Sequence, residues 1–270
     1  MHMKQDGMSV EFLGTRGSVP VFGQSFQIFG GATSCVRVLA GRQEIYLDAG
    51  SGMVNVAPMR DTDIAILLTH PHIDHLLGLS FFEGLSQPGR KIRLYMKERE
   101  GRGLAQVLDT LYAPPFWPIA ISEYPAEVQM MDDLPPAISL EEVQVRSMEG
   151  NHPGGSTILR LDYKEASLVF ATDFERTDEK LQELIRFAEG ASLLIYDGAY
   201  SEEEYTRKKG FGHSTFEKGI YVAEQAAVKQ LAITHYSPHH NDEELLDMEA
   251  ACHRLRKDSF FARCGERREL

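Results

Sequence analysis

Thr69-His70-Pro71-His72-Ile73-Asp74-His75 gathers three imidazoles and a carboxylate into one short segment. Where a strand runs out into extended chain, side chains two apart point the same way, so His70 and His72 face one side. Asp74 and His75, opening a helix, can point back towards them. Four potential metal ligands thus converge, and Pro71 and Ile73 between them stiffen the loop and exclude water. A lone histidine in a loop needs no explanation. A buried strand ending in three histidines and an aspartate does, and a cation that neutralises and orders them supplies it. Nitrogen-rich sites with carboxylates suit zinc first, with manganese or iron chemically open.

The element that delivers this loop is Ile64 to Leu68, a short, continuously apolar run that reads as a buried central strand. Upstream, Ser9 to Leu13, Ser34 to Leu39 and Glu44 to Leu47 are strand-like, the last two facing each other across Ala40-Gly41-Arg42 as a hairpin. Gly14 to Gly31 forms a long glycine-rich loop between them. Downstream, about Asp74 to Phe82 reads as a helix, Ile92 to Tyr95 as a strand and Gly103 to Leu111 as a helix. Ala113 to Ile121, with Pro114, Pro115, Trp117 and Pro118, cannot be regular. Strands follow near Val143 to Met148, Thr157 to Asp162, Ser167 to Ala171, Ser192 to Tyr196 and Gln230 to Thr234. Asp178 to Ala188, Phe216 to Ala226 and Asp242 to Arg256 carry apolar residues at helical spacing. No linker or repeat divides the chain, so the expectation is one layered α/β domain over residues 1–270.

The chain has 270 residues, enough for a substantial core. Forty acidic against 28 basic side chains give a net charge of −12, which disfavours an extended nucleic acid as partner. Three cysteines, Cys35, Cys252 and Cys264, form no C-x-x-C pair and imply neither a disulfide framework nor a thiolate zinc site, which fits a reducing cytoplasm. No apolar run approaches the roughly 18 residues of a membrane helix, and Met1 to Val10 lacks the apolar core of a signal peptide, so no membrane partner is expected. His2 is given no role.

The H-x-H-x-D-H string resembles the metallo-β-lactamase superfamily, whose further landmarks find counterparts in order along the chain. The resemblance implies an αββα sandwich of two mixed sheets flanked by helices. Asp48, in Leu47-Asp48-Ala49-Gly50, matches the strand-end aspartate that buttresses the site through hydrogen bonds. His152, in Gly150-Asn151-His152-Pro153, matches the later metal histidine. Asp173, in Ala171-Thr172-Asp173, matches the bridging aspartate, and His235, in Thr234-His235, the final histidine. The implied division is His70, His72 and His152 around one divalent cation, Asp74, His75 and His235 around a second, and Asp173 bridging. Histidine at position 72, where oxygen-reducing di-iron relatives carry glutamate, points to hydrolysis rather than redox chemistry.

Phe211-Gly212-His213-Ser214-Thr215 resembles the H-S-T motif of the ribonuclease Z and cyclic phosphodiesterase branch, in which the histidine approaches the scissile phosphate. The candidate catalytic residues are therefore His213, Asp74 and Asp48. The implied reaction is attack of a metal-bound hydroxide on a small phosphodiester such as a cyclic nucleotide, with His213 outside the ligand set and protonating the departing oxygen. Alternatives are a ribonuclease Z-type RNA endonuclease and a thioester hydrolase of the glyoxalase kind. The protruding arm of true transfer-RNA processing enzymes is not found, since Asp173 to His213 is used by a helix, a strand and the acidic segment Asp197 to Tyr205, which would repel RNA. Leu13 to Pro20 and Phe29 to Cys35 look like the glycine-rich signature of the same branch, where Arg16 can pair with phosphate or form a surface salt bridge. His239 and His240 are read as merely preceding a helix capped by Asn241 or Asp242. Relatives of this branch are often homodimers, so a homodimer is an option, with Tyr112 to Ile119 available as lid or dimer contact.

Overall fold

Residues 5–54, 56–59, 62–131 and 133–270 are described by the computed structural model, which leaves His2 outside. In chain order the first half holds β1 (Gln5–Gly14), β2 (Cys35–Gly41), β3 (Gln43–Leu47), β4 (Asp63–Leu68), β5 (Lys91–Met96), α1 (Leu104–Leu111) and β6 (Glu127–Met131). The second half holds β7 (Ala137–Leu140), β8 (Val143–Gly150), β9 (Ser156–Tyr163), β10 (Ala166–Ala171), α2 (Asp178–Phe187), β11 (Leu193–Asp197), α3 (Glu202–Lys208), α4 (Phe216–Gln225), β12 (Gln230–Thr234), α5 (Asp242–Leu255), β13 (Ser259–Phe261) and β14 (Glu266–Glu269).

Two seven-stranded sheets result, in the orders β14-β1-β2-β3-β4-β5-β6 and β13-β12-β11-β10-β9-β8-β7. Both are mixed. Strands β3 to β6 run parallel, as do β10 to β13, while the remaining pairs are antiparallel. The β2–β3 hairpin pairs Ala40 with Gln43, and Gly41 (φ 60°) supplies the left-handed residue its two-residue turn requires.

The strands that read as continuous apolar runs are buried on both faces. One face of each sheet meets the other sheet through Val38, Ile45, Leu67, Leu159, Leu161 and Ile195. The outer face of the second sheet is covered by α2, α4 and α5, and that of the first by α1 and the turns after β4. This four-layer arrangement is the αββα sandwich. Capping side chains fix where its helices start: Thr177, Ser201, Thr215 and Asn241 each accept a bond from a backbone N–H in the first turn.

The segment after β4 departs from its predicted helix. Residues Ile73–His75 and Leu79–Phe81 form short 3₁₀ turns instead. The cause is competition for backbone groups: the His75 carbonyl accepts from Ala49 N at 2.8 Å, and Gly78 N donates to Ala49 O at 2.9 Å, so both are lost to an α-helical ladder. Gly78 permits this because a Cβ there would lie 2.0 Å from the Gly50 carbonyl oxygen. The detour pins the loop carrying His70 to His75 against the loop carrying Asp48.

Candidate metal centre

The site lies at the carboxyl ends of the parallel strands, where side chains of both sheets can meet. Strand β4 delivers His70, β8 leads into His152, and β3, β10 and β12 end just before Asp48, Asp173 and His235. Those last three residues have φ of 62°, 54° and 62°, left-handed values that swing the side chain back over the strand ends. Aspartate and histidine tolerate that conformation better than β-branched residues do.

The structure brings all seven expected ligands together. His72 Nδ1 lies 3.0 Å from His152 Nε2, and the His70 ring packs against both. On the other side, His75 Nε2 is 3.3 Å and His235 Nε2 3.5 Å from Asp74 Oδ2. Asp173 stands between the groups. Its Oδ1 is 3.6 Å from His152 Nε2 and 3.9 Å from His70 Nε2, while its Oδ2 is 3.2 Å from His75 Nε2 and 3.1 Å from His235 Nε2.

The outward nitrogens of His75, His70 and His152 have partners of their own, whereas His235 Nδ1 is buried without one. His75 Nδ1 donates to Asp48 Oδ2 (2.7 Å), His70 Nδ1 lies 3.0 Å from the Thr69 hydroxyl, and His152 Nδ1 donates to the Gly212 carbonyl (2.9 Å). Asp48 also accepts from Thr69 N at 2.8 Å, which ties it to the loop of His70 to His75. Four of the inward atoms have none: His70 Nε2, His75 Nε2, His235 Nε2 and Asp173 Oδ2 are buried without a hydrogen-bond partner. Orphaned imidazole nitrogens and carboxylate oxygens facing one another are a donor set that fits divalent cations, and the outer partners fix the tautomers that leave those nitrogens available.

Charge follows the same division. Burial pushes His70 well below the ordinary histidine value and lowers His72 and His152. At His75 burial acts the same way, but Asp74, Asp48 and Asp173 outweigh it and hold the imidazole well above its usual range. His235, against the same pull of burial, is raised by Asp173, Asp74 and Asp197 to about 9. Burial opposes ionisation of Asp74 and Asp173, yet the facing histidines keep both well below the usual carboxylate range. A divalent cation competes with protons for these atoms, so its uptake displaces them.

His213 reaches the same centre from the turn before α4. Its side chain is 11% exposed, its Nδ1 lies 3.0 Å from Asp197 Oδ2, and its ring stacks on His235. Burial would lower its pKa, but Asp197 and Asp173 raise it. Nδ1 is also 3.8 Å from Asp173 Oδ1, so His213 sits against the ligands rather than away from them.

Sequence reasoning places Asp197 in a segment that by resemblance flanks the pocket, but gives its side chain no role. It belongs to a segment expected to present acid to solvent, but it is fully buried at the end of β11. Its Oδ1 accepts from Ala199 N and Ser214 N, and its Oδ2 from Asp173 N and His213. The signal was its position, an aspartate closing an apolar strand like Asp48.

Glu175 was missed. Its Oε1 accepts from Gly210 N (2.6 Å) and the Tyr205 hydroxyl (3.1 Å), and its Oε2 from Gly212 N (2.9 Å). It therefore holds the loop whose Gly212 carbonyl orients His152 and which leads into His213. Gly212, at φ 89°, has no room for a side chain, since a Cβ would lie 2.1 Å from His152 Nδ1. Glu175→Gln sets an amide NH₂ against one of these N–H groups and leaves it unsatisfied, a cost of about 1–3 kcal/mol in stability. Metal affinity at the His70, His72 and His152 group should fall by about 10-fold or more, as for other residues supporting a ligand. Metal titration and chemical denaturation check both; wild-type values in both would mean that the loop does not depend on this carboxylate.

Other expectations are corrected. Arg16 neither faces a phosphate site nor lies on the surface: it is fully buried, with Nε donating to Gly30 O and Nη1 to Ser237 O and His240 O. It ties the glycine-rich loop to the segment after His235. His240 does more than precede α5, being buried and 3.0 Å from both Glu204 carboxylate oxygens. His239 lines a recess beside His213. Asn241, not Asp242, caps α5; Asp242 instead accepts from Gln27 N and Ile28 N.

Comparison with known proteins adds to this geometry. The family described as "Beta-lactamase superfamily domain" matches residues 43–236. Among curated proteins, ribonuclease Z of Brevibacillus brevis is 34% identical over 77 residues, 28% of this chain and 23% of that protein. Ribonuclease Z of Metallosphaera sedula is 25% identical over 275 residues, 87% of this chain and 90% of that one. Coverage thus ranges from under a quarter to nine-tenths of these relatives. Among solved structures, the metallo-beta-lactamase fold protein YhfI from Bacillus subtilis superposes with a TM-score of 0.72 at 18% identity, covering 98% of this chain and 100% of that one. A diphosphatase of the PhnP family superposes at 0.68 and 21% identity, covering 97% of each. These two likenesses show the fold.

Proposed function

This chain is a hydrolase belonging to the beta-lactamase superfamily, and from that premise we propose that it is a binuclear metal-dependent phosphodiesterase acting on a small cyclic nucleotide or related diester. The observation that carries the reading is the Asp173 carboxylate, which turns one oxygen to each of two histidine groups while His213 stands beside it. In this reading His70, His72 and His152 would hold one cation, Asp74, His75 and His235 a second, and Asp173 would serve both. When bound, divalent cations such as zinc supply Lewis-acid activation of water and charge neutralisation at phosphorus.

The chain's own residues do the rest. Asp48 fixes the His75 ring, and the Ser18 backbone N–H, 2.7 Å from Asp74 Oδ2, fixes that carboxylate. Asp197 accepts from His213 Nδ1 and thereby leaves Nε2 to donate a proton to the departing oxygen. A thioester reaction has less need of such a donor, because an alkoxide is a poorer leaving group than a thiolate. The names of the relatives, ribonuclease Z and diphosphatase, also speak for cleavage of a P–O bond.

RNA processing is the second reading, favoured by the curated relatives. Against it stand the net charge of −12 and the acidic first turn of α3, Glu202 to Glu204, which disfavour a long polyanion. Among the described residues no helix is long and apolar enough to cross a membrane. We read residues 1–270 as acting as one domain, in a reducing cytoplasm, with homodimer formation open to measurement.

The purified protein should carry close to two transition-metal equivalents. Elemental analysis and a side-by-side panel of 2′,3′- and 3′,5′-cyclic nucleotides, an aryl phosphodiester, a glutathione thioester and a transfer-RNA precursor test the reading. One equivalent with full activity would defeat the binuclear mechanism, and turnover of the thioester alone would defeat the phosphodiesterase reading.

A further inference from the structure

Two recesses that share no lining residue border different halves of the ligand cluster. The larger, 760 Å³, adjoins His70 and His72 and runs over Ile73, Leu76, Val107 and Phe116. The smaller, 310 Å³, adjoins His213 and His235 and is walled by Tyr200, Lys208, Phe211 and His239. We propose that the substrate is an open, unsymmetrical diester whose retained substituent is a large, ring-bearing group seated in the larger recess, while the leaving alcohol departs into the smaller one. This rests on the phosphodiesterase reading above and narrows it, because a cyclic diester carries both ester oxygens on one substituent and fills one recess only.

Three observations assign the recesses. His213, the proton donor, borders the smaller recess and not the larger, so the oxygen it protonates lies on that side. The larger recess exposes apolar surface next to the ligands: Ile73 is 50% and Phe116 75% exposed, a surface an aromatic ring covers well. Its rim carries charge of both signs, Arg99 engaged by Glu149 (2.7 Å) and Thr157 (2.6 Å) with Glu100 and the exposed Arg102 beside it, so the apolar surface is what distinguishes this recess. In the reaction the oxygen of water bonds to phosphorus and the bond from phosphorus to the leaving oxygen breaks, its electron pair staying on that oxygen. His213 protonates it, and the protons lost by water restore His213 and pass to solvent. The products are a monoester bearing the large group and a free alcohol.

The test uses the metal-loaded protein and p-nitrophenyl phosphodiesters that differ only in the retained group: methyl, phenyl or thymidine-5′-yl. With the leaving group constant, KM should fall about tenfold or more from methyl to the ring-bearing groups, the effect of burying one ring. Phe116→Ala and Val107→Trp, one removing the exposed ring and the other filling the recess, should each collapse that ratio; Phe116 is too exposed for its loss to endanger folding. Equal KM across the series, or a ratio that survives both substitutions, would overturn the proposal alone. Turnover of cyclic nucleotides but of none of these diesters would also overturn the proposal alone, and no turnover of either kind by protein holding two metal equivalents would overturn the phosphodiesterase reading, and the proposal with it.

Discussion

Asp173→Ala is expected to abolish turnover while the sandwich stays folded. The carboxylate is the one described side chain whose two oxygens face both histidine groups, with Oδ2 within 3.2 Å of His75 and 3.1 Å of His235 and Oδ1 within 3.6 Å of His152. Loss of a residue that merely supports a ligand costs about 10–100-fold in affinity or activity, so loss of the bridge should cost about 10³-fold or more. The backbone complicates the alanine variant: at φ 54° an ordinary side chain is strained by roughly 1–2 kcal/mol. Asp173→Asn separates the effects, because asparagine tolerates this conformation and keeps the shape but not the charge. Both variants should lose metal and activity together, with circular dichroism unchanged. If either kept most of its turnover with two equivalents bound, Asp173 would not be the bridge.

The sequence made some of this legible because the information was local. His70 to His75 lie in one loop, and a strand of five apolar residues before them leaves a single place for that loop to emerge, at the end of a buried sheet. Asp48, Asp173 and His235 needed the order of a known family, since each is one polar residue after an apolar run. Asp197 obeys the same strand-end pattern, but its neighbours Glu202 to Glu204 made the whole stretch look like a solvated acidic face. Arg16 was misjudged for a related reason. A charged residue in a glycine-rich loop is usually exposed, and only the three carbonyls gathered from Gly30, Ser237 and His240 make burial affordable. The turn region after His75 carries helix-like spacing of apolar residues, but spacing cannot reveal that Ala49 takes the backbone bonds a helix would use. The four edge strands β6, β7, β13 and β14 were missed because edge strands can be short or polar: β7 and β13 span four and three residues, and β14 reads Glu-Arg-Arg-Glu, pairing with β1, where Arg267 Nη2 donates to Ser9 Oγ (3.2 Å). What sequence hides, in each case, is which distant backbone groups a residue satisfies.

His213→Ala should lower turnover of alkyl-leaving diesters by roughly 10² to 10⁴, the usual contribution of a general acid. Metal content should stay intact, because His213 Nδ1 is committed to Asp197 (3.0 Å), although His213 also stands with Asp173, Asp197 and His235 as a group that could hold an ion. The contact at 3.8 Å between that nitrogen and Asp173 Oδ1 makes this the sharper half of the prediction, since a ligand role would show as a lost metal equivalent. An aryl diester should suffer less. Its leaving group is stable as an anion and needs little protonation, so the penalty should shrink as the leaving-group pKa falls. Turnover of wild type and variant on a leaving-group series, alongside elemental analysis, reads both. A loss that is equal across the series would assign His213 to phosphate binding or charge stabilisation. Asp197→Asn supplies the companion measurement, because an amide in place of the carboxylate can still accept from Nδ1 but no longer favours the charged imidazole. Its penalty should follow the same leaving-group trend with a smaller slope, and a flat response there would mean that Asp197 supports the backbone of Asp173 and Ser214 without acting through His213.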